Sequence, residues 1–324
     1  MPSPADEVER AVHVLRSGGL VAFPTETVYG LGADAANAAA VRRVFEVKGR
    51  PTGHPLIVHL PDASALDGWM AFVPEPARLL AATFWPGPLT LLAQRAARVP
   101  DEVTGGGDIV GLRVPAHPLA LDLLNAFGGG VAAPSANRFG RVSPTTAAHV
   151  RADLGDDVDL VLDGGPCPVG VESTIVDCTT DVPEVVRPGA VTVDQLEAVL
   201  GSPVAAWAGA RDVRAPGTLA AHYAPDAEVT LAIDEEDAIA IASAALRGGR
   251  RPAVLAAAPI DGLPDGTRAL EPAGDDENYA RVLYERLRET DDIGSDLLIA
   301  IPPSGSGIGR AVRDRLLRAA ASNA

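Results

Sequence analysis

Thiols, long apolar runs, net positive charge and familiar catalytic signatures are all scarce or missing, and each scarcity removes a class of protein. Cys167 and Cys178 are the only two cysteines in 324 residues, too few for a disulfide framework or a thiolate metal cage, so they read as buried thiols. The apolar runs stop well short of the ~20 residues a membrane-crossing helix needs. The opening MPSPADEVER is acidic and lacks the apolar core of a secretory signal, so a cytoplasmic protein without membrane attachment is expected. With 27 basic against 43 acidic side chains, the net charge of −16 argues against a chain whose main role is wrapping nucleic acid. No G-x-x-x-x-G-K-[ST], H-E-x-x-H, G-x-S-x-G or C-x-x-C occurs, and the six histidines show no metal-ligand spacing. A protein-held metal is therefore not expected. Ser304 to Arg310, SGSGIGR, has its third glycine one place early for a dinucleotide loop and reads as a tight turn at a helix entrance.

The composition is that of a folded chain: 47% hydrophobic residues against 22% charged, with short apolar runs between Gly and Pro. Ser3 and Asp6 have capping-box spacing at the head of a helix that Gly18 and Gly19 end. Strand-like runs follow at 20–23, 56–60, 89–94, 110–115, 131–137, 160–163 and 173–178, with PTETVYGLGADA after the first of them read as a loop. Helices are expected near 37–47, 75–83, 117–126, 144–154 and 192–200, the last opening with Thr192 and Gln195 in capping-box spacing. The mixture predicts a mixed sheet with helices packed on it, over 1–203. Residues 204–227 have turn composition without sustained period and read as a linker. From 228 to 324 strands and helices alternate regularly, which predicts a smaller Rossmann-like α/β domain.

Charge is unevenly placed. Residues 1–150 carry 12 basic and 13 acidic side chains, whereas 151–200 carry 2 and 11. The first half can hold a locally positive pocket. Of the 27 basic residues, 26 are Arg and one, Lys48, is Lys.

Five polar islands fall within the first two hundred residues. PTETVYGLGAD (24–34) sets two Thr, a Glu, a Tyr and two Gly behind a strand, where loops carry binding groups. KGRPTGHPLIVH (48–59) places Lys48 and Arg50 two apart: a triphosphate clamp if the segment is extended, or simply cations decorating a helix C-terminus. Arg113 lies inside the apolar run VGLRVP and needs a partner, either a substrate carboxylate or an internal ion pair. APSANRFGRVSPT (133–145) supplies Ser135, Asn137 and Ser143; Ser143-Pro144 reads as a helix N-cap, a position whose amides can also take phosphate. GVESTIVD with VRPGA adds Ser173 and Arg187. His59 ends a strand, and His222-Tyr223 sits in the linker.

In order, FPTETVYGLGADA, KGRPTGHPLIVH, FWPGPLTLL, VGLRVP, APSANRFGRVSPT, GVESTIVD, VRPG, APGTLAAHYAP and GIGRAVRDRLLRAA resemble the threonylcarbamoyl-AMP synthase family (YrdC/Sua5), in its long, Sua5-type form. The resemblance implies an N-terminal YrdC-like twisted mixed sheet with helices and a Sua5-type C-terminal domain. It implies an enzyme that makes L-threonylcarbamoyladenylate and pyrophosphate from L-threonine, bicarbonate or CO2, and ATP, the group then passing through downstream enzymes to adenosine 37 of tRNA. Mg²⁺ would arrive with ATP, held mainly by its phosphates, and tRNA contact would be weak or indirect. The rival from another class is a tRNA-binding module without turnover of its own, against which the acidic balance weighs.

Carried over by motif, the resemblance puts Lys48, Arg50, Thr52, Ser135, Asn137, Ser143, Arg187 and Tyr223 on the ATP side. It puts Thr25, Thr27, His59, Arg113, Ser173 and the backbone at Ala133 around threonine. A carbamate loses CO2 readily in water, so a closing lid is useful; the linker with His222 is placed in sequence to supply one. The basic residue expected ahead of H-Y-A-P is replaced by Leu219, Ala220 and Ala221.

Overall fold

A computed structural model describes residues 3–206 and 222–322. Most of the linker, including 219–221, lies outside the described residues. The chain forms two compact units, the first built from Met1–Phe139, Pro144–Pro168 and Glu172–Thr218, the second from Leu219–Ala324 together with Gly140–Ser143 and Val169–Val171.

Ten strands make the sheet of the first unit: β1 (Val21–Phe23), β2 (Gly30–Asp34), β3 (Ile57–His59), β4 (Leu89–Gln94), β5 (Ile109–Arg113), β6 (Val131–Ala132), β7 (Leu160–Val161), β8 (Thr174–Asp177), β9 (Glu184–Arg187) and β10 (Ala205–Ala206). Their order is β10-β9-β8-β4-β5-β3-β6-β2-β1-β7. β3 runs parallel to β5 and β4 to β8, while β6 is antiparallel to both β2 and β3, so the sheet is mixed as the sequence predicts. The inner strands are buried, and the apolar faces of the helices Ala38–Lys48 and Glu75–Phe84 pack into the main core.

Two local departures from the sequence reading bear on the site. Residues 30–34, read as loop, are strand β2: Gly and Ala have weak strand preference, but pairing with β1 on one side and β6 on the other satisfies the backbone. Glycine is needed here for space, since a Cβ on Gly32 would stand 2.8 Å from the Phe23 ring. Ser143 does not cap a helix. The helix is Ala147–Leu154, and Thr146 accepts from the amide of His149; Pro144 instead uses its carbonyl to accept from the Tyr29 amide at 2.9 Å. The capping boxes at Ser3/Asp6 and Thr192/Gln195 are both formed.

The second unit has a four-stranded sheet, β11 (Glu228–Leu231), β12 (Pro252–Leu255), β13 (Arg268–Ala269) and β14 (Leu297–Ala300), in the order β11-β14-β12-β13 with every pair parallel. Its helices Glu235–Arg247, Asp276–Asp292 and Gly309–Ala321 complete a small Rossmann-like α/β domain. Among the described residues no helix is long and apolar enough to cross a membrane.

Candidate active site

Two loops at the ends of neighbouring strands hold each other. The chain leaves β1 at Phe23 and runs through 24–29 into β2, while 133–137 follow β6. The Leu31 amide donates to the Pro134 carbonyl and the Ala136 amide to the Tyr29 carbonyl, both at 2.8 Å, and Gly30 bridges to Ser135. This pairing fixes the threonine-rich island against the S-x-N island.

Cations converge on the second loop. Asn37 caps the helix Ala38–Lys48 and Gly49 ends it with φ +63°, so Lys48 is the last helical residue and the chain turns toward Arg50. Lys48 is buried; its ammonium donates to the carbonyl of Ser135 at 2.6 Å and to that of Asn137. Burial, then the neighbouring Arg50, holds its pKa well below the usual lysine value. Arg50 donates to the Pro55 carbonyl at 2.9 Å and stands over the Phe139 ring. Asn137 is buried, its amide donating to the Arg138 carbonyl, and Ser135 is half-buried. Lys48 and Arg50 therefore form a compact, turned pair and not an extended one.

A second cluster gathers around Arg113. In register, β3 places His59 beside Arg113 of β5 and Val131 of β6. The Arg113 guanidinium is buried, with Nη2 2.8 Å from Oε1 of the equally buried Glu26 and Nε donating to the Gly87 carbonyl at 3.3 Å. Of the two partners open to Arg113 from sequence, the internal ion pair is present. Burial, then Arg113, pushes His59 down to about 3, so the imidazole is neutral. The hydroxyls of Thr25 and Thr27 lie 2.8 Å apart, and Thr25 also donates to the Val28 carbonyl. Ser173 shares a 2.8 Å hydrogen bond with Thr90, and Arg187 donates to the Ser173 carbonyl at 2.9 Å and to its hydroxyl at 3.1 Å.

Thr52 is exposed on a turn. The Ala133 amide is already spent on the Ile57 carbonyl at 2.9 Å. Ser143, His222 and Tyr223 belong to the second unit, all buried there. Tyr223 has φ +65°, stacks on Tyr284 at 5.7 Å and lies under the Arg315 guanidinium, with His222 edge-on to it. Glu26 and Thr90 are the residues that sequence reasoning passed over; the T-E-T spelling of the first island is the only signal for Glu26, and nothing marks Thr90. Among the described residues, no three His, Cys, Asp or Glu side chains are grouped to hold a metal ion.

Buried cations, carbonyl oxygens and hydroxyls thus gather around two paired loops at the strand ends of a mixed α/β sheet, a setting in which small-molecule sites are commonly built. The chain belongs to the Sua5/YciO/YrdC family: that family model, described as "Telomere recombination", matches residues 13–189, and the model of the "Threonylcarbamoyl-AMP synthase, C-terminal domain" matches residues 191–321. A threonylcarbamoyl-AMP synthase of Bacillus subtilis is 40% identical over 97% of this chain and 93% of its own length. The crystal structure of Pyrococcus abyssi Sua5 complexed with L-threonine superposes with a TM-score of 0.91 at 38% identity, covering 98% of this chain and 95% of that one. A threonylcarbamoyl-AMP synthase of Alkalilimnicola ehrlichii is 40% identical over 52% of this chain and 87% of its own length.

Proposed function

We infer that the chain is a threonylcarbamoyl-AMP synthase, a nucleotidyltransferase-type enzyme that uses L-threonine and a nucleotide. The observation that carries this reading is the full-length likeness to synthases; two polar clusters meet at the paired loops, Lys48 holding Ser135 of one and Arg113 pairing with Glu26 of the other, which supports it.

In the finer reading, ATP lies along the S-x-N loop, with Ser135 and Asn137 toward the nucleotide and Arg50 and Arg187 toward its phosphates. Ser143 and Tyr223 are assigned to the same nucleotide by their motifs, and Thr52, exposed as it is, serves at most at the rim. Lys48 holds the loop's carbonyls and supplies positive potential; incoming phosphates favour its charged form over the neutral one that burial promotes. Threonine occupies the other cluster, its carboxylate on Arg113 and its neighbours Thr25, Thr27, His59 and Ser173, with Ala133 contributing packing.

The threonine amine and CO2, drawn from bicarbonate, form a carbamate whose oxygen attacks the α-phosphate and displaces pyrophosphate. No residue has to form a covalent intermediate. The chain's contribution is orientation and charge complementarity. Mg²⁺ enters as part of the ATP substrate, held mainly by its phosphates. We assign the product to cytoplasmic enzymes that modify tRNA.

The test is pyrophosphate release in the absence of RNA. Wild-type protein is expected to require both threonine and bicarbonate, and Lys48→Ala to be severely impaired. Salt-dependent tRNA binding without turnover would overturn the synthase reading in favour of a binding module.

A further inference from the structure

The helix Ala38–Lys48 ends in four carbonyls without an intrahelical donor, and two of them are answered by the turn that follows. Phe45 accepts from the Arg50 amide at 3.0 Å and Glu46 from the Gly49 amide at 3.1 Å. The other two are answered by the loop after β6: Lys48 accepts from the Phe139 amide at 2.8 Å, and Val47 accepts from Nη1 of Arg138. In return the Lys48 ammonium donates to the Ser135 and Asn137 carbonyls. Helix end and loop are interlocked in both directions.

Arg138 also reaches a second helix. Its Nε donates to the Asp153 carbonyl at 3.2 Å, near the end of Ala147–Leu154, and its Nη2 to Asp157 at 2.5 Å. One planar fork thus joins two helix C-termini, where a cation suits both the orphan carbonyls and the helix dipole. The main chain of the same residue seats the site. Its carbonyl accepts from the side-chain amide of Asn137 at 2.9 Å, and the next ring, Phe139, lies under the Arg50 guanidinium.

We propose that Arg138 is a positioning residue for the nucleotide: it clamps the backbone that sets the Asn137 side chain and the Phe139 ring beneath Arg50. The proposal rests on the synthase reading and deepens it with a residue that acts through Asn137 and Arg50. Without the fork, the carbonyls of Val47 and Asp153, both in half-buried residues, lose a charged donor. Segment 137–139 can then shift, and the groups assigned to ATP shift with it. The residues assigned to threonine are not reached, since the Arg138 side chain bonds to Val47, Asp153 and Asp157.

The experiment measures pyrophosphate release by the full-length protein, with ATP varied at saturating threonine and bicarbonate and then threonine varied at saturating ATP. Wild type, Arg138→Ala, Arg138→Lys and Asp157→Ala are compared. Arg138→Ala is expected to raise the KM for ATP about tenfold and to leave the KM for threonine within about twofold. Arg138→Lys keeps the charge but cannot bridge two carbonyls with a fork; it should recover part of the ATP affinity and is the reporter if Arg138→Ala fails to fold. Asp157→Ala should match wild type, because that ion pair is largely exposed, at 43% and 54% of the two side chains. Three results would each overturn the proposal: both KM values rising together, as general loosening would produce; a KM for ATP unmoved in the Arg138 variants; or Asp157→Ala as impaired as Arg138→Ala. Threonine-dependent release in wild type with any of these removes Arg138 alone, whereas its absence in wild type removes the synthase reading and this proposal together.

Discussion

The ammonium of Lys48 donates to the carbonyl oxygen of Ser135 at 2.6 Å, tying a helix C-terminus to a loop 87 residues further along the chain. A second bond to the Asn137 carbonyl closes the grip. A compact ammonium on a flexible stem can bond both carbonyls at once, whereas a planar guanidinium presents its donors in a fork. Lys48→Arg should therefore reduce turnover nearly as much as Lys48→Ala, on the order of 100-fold or more, with the pyrophosphate assay as readout. The control is Arg78→Lys, whose side chain is 51% exposed beside Asp67 and whose loss of the fork should leave the rate unchanged. A Lys48→Arg enzyme working at the wild-type rate would show that the ammonium is dispensable.

His59 supplies a pH dependence of stability. Its folded pKa of about 3 lies below the usual histidine value of 6.5, chiefly through burial. The unfolded chain therefore takes up a proton that the folded chain refuses, and the stability contributed by the neutral imidazole is complete above about pH 6.5 and lost as pH falls toward 3. Between pH 7 and pH 5 the loss amounts to about 2 kcal/mol. Urea unfolding of wild type and His59→Asn across that interval should show the difference between them shrinking by this amount as the pH is lowered. Parallel stability curves would mean that His59 titrates normally in the folded state.

The elements with strong periodicity or a cap are legible in the sequence alone: the Ser3/Asp6 helix, the 75–84 helix and the regular alternation beyond 228 all stand where the pattern puts them. β2 is not, because Gly30, Gly32 and Ala33 have no strand preference of their own and are strand only by virtue of β1 and β6. Ser143-Pro144 has the spelling of a cap, yet Thr146 does the capping and Pro144 turns its carbonyl to Tyr29, a tertiary contact that local sequence does not encode. For the candidate site, residue types and order are legible, and so is the need for a partner at Arg113. That the partner is Glu26 is not, since 87 residues separate them and only the sheet brings the first loop to the end of β5. The same holds for Thr90 under Ser173.

Cys167 and Cys178 should be inert in the folded protein. Burial pushes both thiols up to about 12, with Glu26 adding to the shift at Cys167 and Asp177 at Cys178, so almost no thiolate exists at neutral pH. An aromatic disulfide reagent at pH 8 should label neither thiol in native protein and both in denaturant. Labelling of either one in the native state at the rate of a free peptide thiol would contradict their burial.

Gly189, in the V-R-P-G motif, lets two segments approach that carry the Ser173 end of the candidate site. A Cβ at this position would lie 2.3 Å from the Thr174 amide nitrogen and 2.6 Å from the Glu172 carbonyl oxygen, both backbone atoms that cannot swing aside. Accommodating alanine requires segment 172–174 to move away from 187–189. That shift stretches the bonds from Arg187 to Ser173 and the bond from the Thr174 hydroxyl to the Val191 carbonyl at 2.7 Å. Gly189→Ala should therefore cost about 1–3 kcal/mol of stability and raise the KM for threonine, because Ser173 moves with its backbone. Gly305→Ala, where a Cβ meets nothing within 4 Å, provides the comparison and should stay within about 0.5 kcal/mol of wild type. Denaturant midpoints for the two variants separate a steric requirement from a general intolerance of alanine. Since only Gly189 touches the backbone that carries Ser173, equal midpoints with an unchanged threonine KM would mean that the strands part without cost and that the glycine serves no packing role.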